Sequence, residues 1–269
     1  MRQAFDIYRR LLGVQIRSQL QYRVSFSFDL FSAILVTATE FAALALVFER
    51  FEQIGGWTLG EVAFLFGLLE ISFGIMDMVF GGFDPQDFGA SVRHGSFDQI
   101  MLRPAHLLTQ VLGSQFALRR LGRIVFGAGV LLFAVTVTQL DWTLAKVLYL
   151  PLVVTGMVLF FGGLYIVGST ITFWTVESIE AINILTYGGS YLISYPMHIY
   201  QNWLRRIFTY LVPAIFLNYY PVLYFLDKPD PFGFPAFAPF LSPLVGVASF
   251  VAALAFWRFG VKHYQSTGS

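Results

Sequence analysis

The sequence predicts an all-α membrane protein with six transmembrane helices, built as a single domain over residues 1–269. Two features of its composition support this prediction. Hydrophobic residues make up 57% of the chain and charged residues only 12%, whereas a typical soluble domain is about 25% charged. The 30 phenylalanines would favour aggregation in water, but they suit the hydrocarbon of a bilayer.

The pattern of apolar segments gives the number of crossings. Crossing about 30 Å of hydrocarbon takes about 20 mostly apolar residues. Five stretches meet this requirement, namely 24–48, 59–80, 124–140, 143–174 and 243–257. A shorter sixth candidate runs over residues 177–195. The tryptophans fall at or near the ends of the proposed segments, where interfacial anchors are expected.

The basic residues predict the orientation. With six spans, 12 of the 17 lysines and arginines lie on the side that holds both termini. Cytoplasmic segments near membrane spans carry an excess of Lys and Arg. We therefore expect both termini in the cytoplasm, in a bacterial-type plasma (inner) membrane.

The residues before the first span predict a helix lying on the membrane. Within 2–23, Phe5, Tyr8, Leu12 and Ile16 fall near one face, and basic side chains are interspersed among them. This pattern is typical of a helix that rests on the inner membrane surface.

The stretch 195–227 predicts a re-entrant hairpin on the outer side. It is apolar, but three prolines interrupt it and two adjacent arginines lie within its longest unbroken piece. An arginine at the centre of a spanning helix costs about 2.5–3.5 kcal/mol, whereas a broken helix that avoids lipid tolerates such residues. Residues 228–242 are too rich in proline for a helix and predict an external loop. The candidate gate residues of the hairpin are Pro196, Trp203, Arg205, Arg206 and Pro213.

A polar island, residues 84–104, separates the second and third spans. After Gly95, the residues Phe97, Ile100 and Met101 are spaced to share one face of a short helix that stops before Pro104. Such a helix fits a lever that docks into the groove of a partner. The alternative is a surface helix resting on lipid headgroups.

Four carboxylates lie inside the first two spans. Asp29 and Asp77 are expected near the inner boundary, where they can reach water, and Glu40 and Glu70 lie deeper and at similar depth. Ionisable groups at such positions usually face a polar interior. They indicate either a substrate path or proton relay, or carboxylates that bond to neighbouring helices or stay protonated.

Several kinds of chemistry find no support. None of the three lysines, Lys146, Lys228 and Lys262, follows a phosphate-binding glycine loop, so the chain is not expected to hydrolyse nucleotide itself. The four histidines lack zinc-site spacing, and the absence of cysteine excludes disulfides and thiol catalysis. A formal charge of +1 argues against a nucleic-acid partner.

Three features together resemble the permeases of type 2 ABC exporters. The island sequence RHGSFDQIMLRP is similar to that family's signature in the cytoplasmic coupling region. The order of six spans after a basic amphipathic helix also matches. The segment YPMHIYQNWLRRIFTYLVPAIFLNYYP resembles the family's extracellular re-entrant hairpin. The stretch FWTVESIEAINIL is similar to a poorly characterised, drug-export-associated branch.

This resemblance implies a permease subunit without catalytic residues or a directly bound cofactor. ATP and Mg would bind to separate cytoplasmic ATPase subunits, and a second permease, identical or related, would complete a dimer in the bilayer. The substrate would be drug-like, lipid-like or otherwise amphipathic. The residues that couple to the ATPase would be Arg93, Gly95, Phe97, Asp98, Ile100, Met101, Leu102, Arg103 and Pro104. The alternative function is a proton-coupled carrier that uses Glu40 and Glu70.

Overall fold

The computed structural model describes residues 2–175 and 180–266, and within them it is helical and contains no β-strand. The side chains of residues 2–5, 180 and 181 lie outside this description. The helices are α1 (Arg2–Gln21), α2 (Arg23–Arg50), α3 (Leu59–Phe80), α4 (Pro85–Arg93), α5 (Ser96–Met101), α6 (Leu107–Ser114), α7 (Leu121–Thr138), α8 (Leu144–Thr175), α9 (Glu180–Asn183), α10 (Gly189–Ile193), α11 (Asn202–Arg206), α12 (Tyr219–Phe225) and α13 (Ser242–His263).

Five of these helices confirm the five long spans predicted from the sequence. The helices α2, α3, α7, α8 and α13 belong to segments long and apolar enough to cross a membrane. The bounds of α3 are those predicted. The helix α7 begins at Leu121, three residues before the predicted start, and so takes Arg123 into its first turn.

The sixth crossing is less simple than the sequence indicates. Of the predicted span 177–195, residues 177–179 lie outside the described ranges. The remainder joins α9, a five-residue π-helix (Ile184–Gly188) and α10. At about 1.5 Å per residue this run covers only about 21 Å, short of the hydrocarbon thickness. It is not among the helices in the described part of the chain that could span by length alone.

The predicted hairpin is a bent pair of helical segments. The first runs from Asn202 to Leu211, the second from Ala214 to Phe225, and the two meet at an angle of 79°. Pro213 lies at the bend, where its ring prevents the helix from continuing. A bend of this size fits either a re-entrant loop or a broken span, so the described residues supply five crossings, or six if the pair is one span.

The core is organised around α3, which lies between α7 and α8. Helices α3 and α7 can come close together because Gly67 has no side chain. A Cβ at Gly67 would lie 2.7 Å from the backbone nitrogen of Leu131 and 2.8 Å from the carbonyl oxygen of Gly127. Helix α13 packs along α8. The outer face of α2 is exposed, and it includes Phe28 and Phe31.

The island forms two short helices, α4 and α5, where the sequence predicts one. Asp84 caps α4 by accepting a hydrogen bond of 3.0 Å from the backbone N–H of Gln86. Gly95 separates the helices with a φ of 67°, a left-handed conformation that favours glycine.

The predicted N-terminal helix is present as α1, which ends at Gln21. Its side chains bind the segment that follows α6: Gln15 donates to the carbonyl of Ser114, and Gln19 donates to that of Phe116. Gln19 also accepts from the backbone N–H of Leu118. These bonds fix α1 beside the start of α7, and its expected position on a membrane surface stays a prediction.

Candidate functional site: an island surface and a polar cavity

The side chain of Phe97 attaches α5 to the rest of the protein. It is fully buried, and its ring lies 5.1 Å from Phe88, 5.2 Å from Phe173, 6.3 Å from Trp257 and 5.2 Å from Tyr264, measured between centroids. The expectation that Phe97 belongs to an exposed docking face is therefore wrong. The spacing predicts the helix correctly, but Phe97 lies on its inner side, in a buried aromatic cluster.

Asp98 joins α5 to the C-terminal segment. Its carboxylate accepts hydrogen bonds from the hydroxyls of Tyr264, at 2.8 Å, and Ser266, at 2.6 Å. Burial, followed by the bond to Asp98, raises the pKa of Tyr264 to about 12. Sequence reasoning had assigned Asp98 only to coupling, and nothing in the sequence pattern indicated that the last residues fold back onto the island.

The outward side of the island is formed by other predicted residues. Leu102 is 86% exposed and Met101 is 43% exposed, whereas Ile100 is half-buried. Arg93, Arg103 and Pro104 are also exposed. The island therefore presents an apolar patch, Met101 and Leu102, next to basic side chains. We call this patch and its flanking arginines the island surface.

Two of the four intramembrane carboxylates are bound to arginines. Glu70 receives two hydrogen bonds from Arg123, through Nε and, at 2.8 Å, through Nη2. The guanidinium also lies 4.6 Å from the centre of the Phe73 ring. Asp77 pairs with Nε of Arg120 at 2.7 Å. Both carboxylates are almost completely buried, so the expectation that Asp77 reaches water is wrong.

The two remaining carboxylates lie on α2 and differ in their partners. Glu40 accepts a hydrogen bond of 2.7 Å from the hydroxyl of Tyr191, and this bond joins α2 to α10. Asp29 is exposed and has no ion pair or hydrogen bond within the described ranges. The carboxylates expected at similar depth, Glu40 and Glu70, thus have different partners.

A polar cavity lies between α2 and the start of α7. Its volume is about 280 Å³, and its charged lining consists of Asp29, Glu40, Arg119, Arg120 and Arg123. A second cavity of about 470 Å³ lies beside it, shares Asp29 and Arg119, and extends along α1 to Gln15 and Gln19. We call the two together the polar cavity.

The three arginines are the functional residues that sequence reasoning missed. Arg119, Arg120 and Arg123 read as basic residues flanking the third span, a common feature of cytoplasmic segments. The sequence nevertheless contained a signal that pointed to these arginines. Four carboxylates inside two spans need compensating partners, and these arginines stand at the start of the next span along the chain.

The gate candidates lie at the opposite end of α3 from the island. Trp203 is 60% exposed. The guanidinium of Arg205 lies 4.4 Å from the centre of the Phe232 ring, and it lines a cavity of about 340 Å³ together with Arg206. The hairpin reaches α3 through Asn218, whose amide donates to the carbonyl of Leu65. Pro196 begins the short turn after α10.

One comparison with known proteins gives a match. The model of a family described as ABC-2 family transporter protein matches residues 34–268, which is most of the chain and includes α3 through α13. No curated protein and no solved structure matches the sequence significantly.

Proposed function

The chain belongs to the ABC-2 family of transporter proteins and is the multi-pass membrane permease of a type 2 ABC transporter; we propose that it exports an amphipathic, drug-like or lipid-like substrate with ATP hydrolysed by a separate subunit. The observation that carries this proposal is the family match over residues 34–268. ATP and Mg are assigned to the partner, and a second permease completes the transporter in the bilayer.

The island surface is the proposed contact with the ATPase. Met101 and Leu102 offer a small apolar patch for a groove, and Arg93 and Arg103 flank it. The short helix is held in place by Gly95, Asp98, Ile100 and Pro104. Phe97 contributes through its contacts with the buried aromatic cluster. Both termini and the island are assigned to the cytoplasmic side, on the basis of the excess of basic residues there, and the membrane is proposed to be a bacterial-type inner membrane.

The buried aromatic contacts support transmission of force from the island. Phe97 touches Phe88 of α4, Phe173 near the end of α8 and Trp257 of α13. Packed side chains of this kind have little free volume and transmit displacement. A movement of α5 would therefore reach two long membrane helices directly.

The polar cavity and the hairpin are the proposed parts of the substrate path. Asp29 and Glu40 line the cavity, and Glu70 and Asp77 hold the arginines that form its other wall. On the opposite side, Pro196, Trp203, Arg205, Arg206 and Pro213 belong to the hairpin past which substrate would leave.

The alternative of a proton-coupled carrier has no supporting observation. Glu70 and Asp77 are each paired with an arginine, so both carboxylates already have a partner in the protein. Glu40 accepts one hydrogen bond, from the hydroxyl of Tyr191. The carboxylates thus serve better as structural partners of the arginines than as a relay.

A co-purification experiment tests the proposed function. The permease is co-expressed with ABC ATPase subunits from its own source, and the complex is reconstituted in proteoliposomes. We expect stable co-purification and an ATPase activity that Met101→Asp together with Leu102→Asp lowers at least tenfold, because two charges enter the apolar patch. The control is Phe51→Asp, which changes an exposed residue directly after the C-terminal end of α2. Substrate movement driven by a pH gradient without ATPase would contradict the proposal.

A further inference from the structure

We propose that the polar cavity binds the headgroup of a zwitterionic aminophospholipid, with Arg119 on the phosphate and Asp29 on the ammonium group. The two residues line both parts of the cavity and so stand where the parts join. The site is a property of the chain alone. It does not depend on the proposed export or on the ATPase.

The first argument concerns which charged side chains at the cavity already have a partner in the protein. Arg123 is held by Glu70 through two bonds, and Arg120 is held by Asp77 through its Nε. Glu40 is bound by the hydroxyl of Tyr191.

Two charged side chains of the cavity remain. Arg119 and Asp29 are both exposed, and neither side chain makes an ion pair or hydrogen bond with the residues described, although Arg119 also acts on Asp77 electrostatically. Since no salt bridge joins them, the cavity offers one cation and one anion to a ligand. A ligand that carries both a phosphate and an amine satisfies both.

The second argument concerns the level of the site in the bilayer. Asp29 lies six positions into α2, which begins at Arg23, or about 9 Å along the helix axis. Arg119 lies in the turn Leu118–Arg120 that precedes α7. Both positions therefore fall near the ends of spans, where headgroups rather than acyl chains are found. The wall of the second part includes the exposed Tyr22, an interfacial residue type.

The third argument excludes a purely anionic headgroup. Around the cavity stand four carboxylates, Asp29, Glu40, Glu70 and Asp77, against the three arginines. A ligand with negative charge only would meet Arg119 but also the uncompensated Asp29. The ammonium of an ethanolamine headgroup removes this repulsion, and it can donate hydrogen bonds to the carboxylate.

Native mass spectrometry of the purified chain tests the site. The protein in detergent is offered equal amounts of phosphatidylethanolamine and phosphatidylglycerol with identical acyl chains. We expect wild-type protein to retain the ethanolamine lipid about fivefold better, as one partly enclosed charge pair allows. Asp29→Asn should reduce the ratio to about one, and Arg119→Gln should weaken both lipids. Glu49→Gln and Arg50→Gln, at the far end of α2, are the matched controls and should leave the ratio unchanged.

Three outcomes would overturn the proposal. The first is equal retention of the two lipids by the wild type. The second is a ratio that Asp29→Asn leaves at its wild-type value or that a control changes as much. The third is competition by soluble glycerophosphoethanolamine at the same molar concentration as the lipid, which would assign the cavity to a soluble ligand. The assay does not involve ATP hydrolysis. Each result therefore keeps its meaning even if the proposed transport function is wrong.

Discussion

The hydroxyl of Tyr264 donates a hydrogen bond of 2.8 Å to the carboxylate of Asp98, joining residues 166 positions apart. The ring of Tyr264 also packs edge-on against Phe97, at 5.2 Å between centroids, and lies 5.0 Å from Phe173. The segment after α13 is therefore fastened to α5 from the polar and the apolar side. Any motion of the island must either carry this segment along or release it.

Removing the hydroxyls that bind Asp98 should loosen α5. In Tyr264→Phe combined with Ser266→Ala, the carboxylate loses two donors while the ring contacts stay, so we expect faster hydrogen exchange over residues 96–101. Ser27→Ala, whose hydroxyl bonds only within its own helix, is the control. Unchanged exchange over residues 96–101 would show that the ring contacts alone hold the helix.

The same contact predicts a pH dependence of tail docking. Burial and Asp98 raise the pKa of Tyr264 from 10.0 to about 12, so the neutral phenol is the form that the folded protein favours. Its contribution is fully present below pH 10 and is lost as the pH rises through about 12. Ultraviolet titration of tyrosinate in wild type and Tyr264→Phe should differ only in this alkaline range. A difference near pH 7 would contradict the assignment.

Phe97 and Met101 should respond differently to alanine. Phe97→Ala empties a fully buried site and should cost about 3–5 kcal/mol of stability. Met101→Ala removes a 43% exposed side chain and should change stability by less than about 0.5 kcal/mol, while lowering ATPase coupling. Thermal unfolding in detergent measures the first effect and reconstituted ATPase activity the second. Equal destabilisation by both variants would contradict the buried position of Phe97.

The Glu70–Arg123 pair should be much more sensitive to single than to double substitution. Glu70 is 2% exposed, so Glu70→Gln leaves a nearly buried guanidinium uncompensated and should cost about 3–5 kcal/mol. Glu70→Gln with Arg123→Gln removes both charges and should recover a large part of the loss. Thermal unfolding of the wild type, the two single variants Glu70→Gln and Arg123→Gln, and the double variant gives the coupling energy. Additive effects would mean that the two side chains do not interact.

Two glycines provide a matched test of helix packing. Gly67→Ala would place its Cβ 2.7 Å from the backbone of Leu131, so α3 and α7 would have to move apart at a cost of about 1–3 kcal/mol. Gly129→Ala, also in a membrane helix, meets nothing within 4 Å and should be neutral or slightly stabilising. A melting temperature that falls equally for both would contradict the close approach of the two helices.

Local features of the sequence were enough to predict the five long spans, the helix before the first span, the bend at Pro213 and the short helix after Gly95. Each depends on a local property: the length of an apolar run, the spacing of apolar residues, or the position of proline and glycine. The same local information gave the family resemblance that the match over residues 34–268 confirms. It located the four intramembrane carboxylates but not their partners.

The buried face of α5 became known only once the helices were packed, because it depends on four aromatic residues from other segments. It also decided that Arg120 and Arg123 compensate Asp77 and Glu70. A carboxylate in an apolar environment needs a partner, but the sequence does not say which cation supplies it until the helices are packed. The polar cavity follows from that packing, since its walls belong to separate segments.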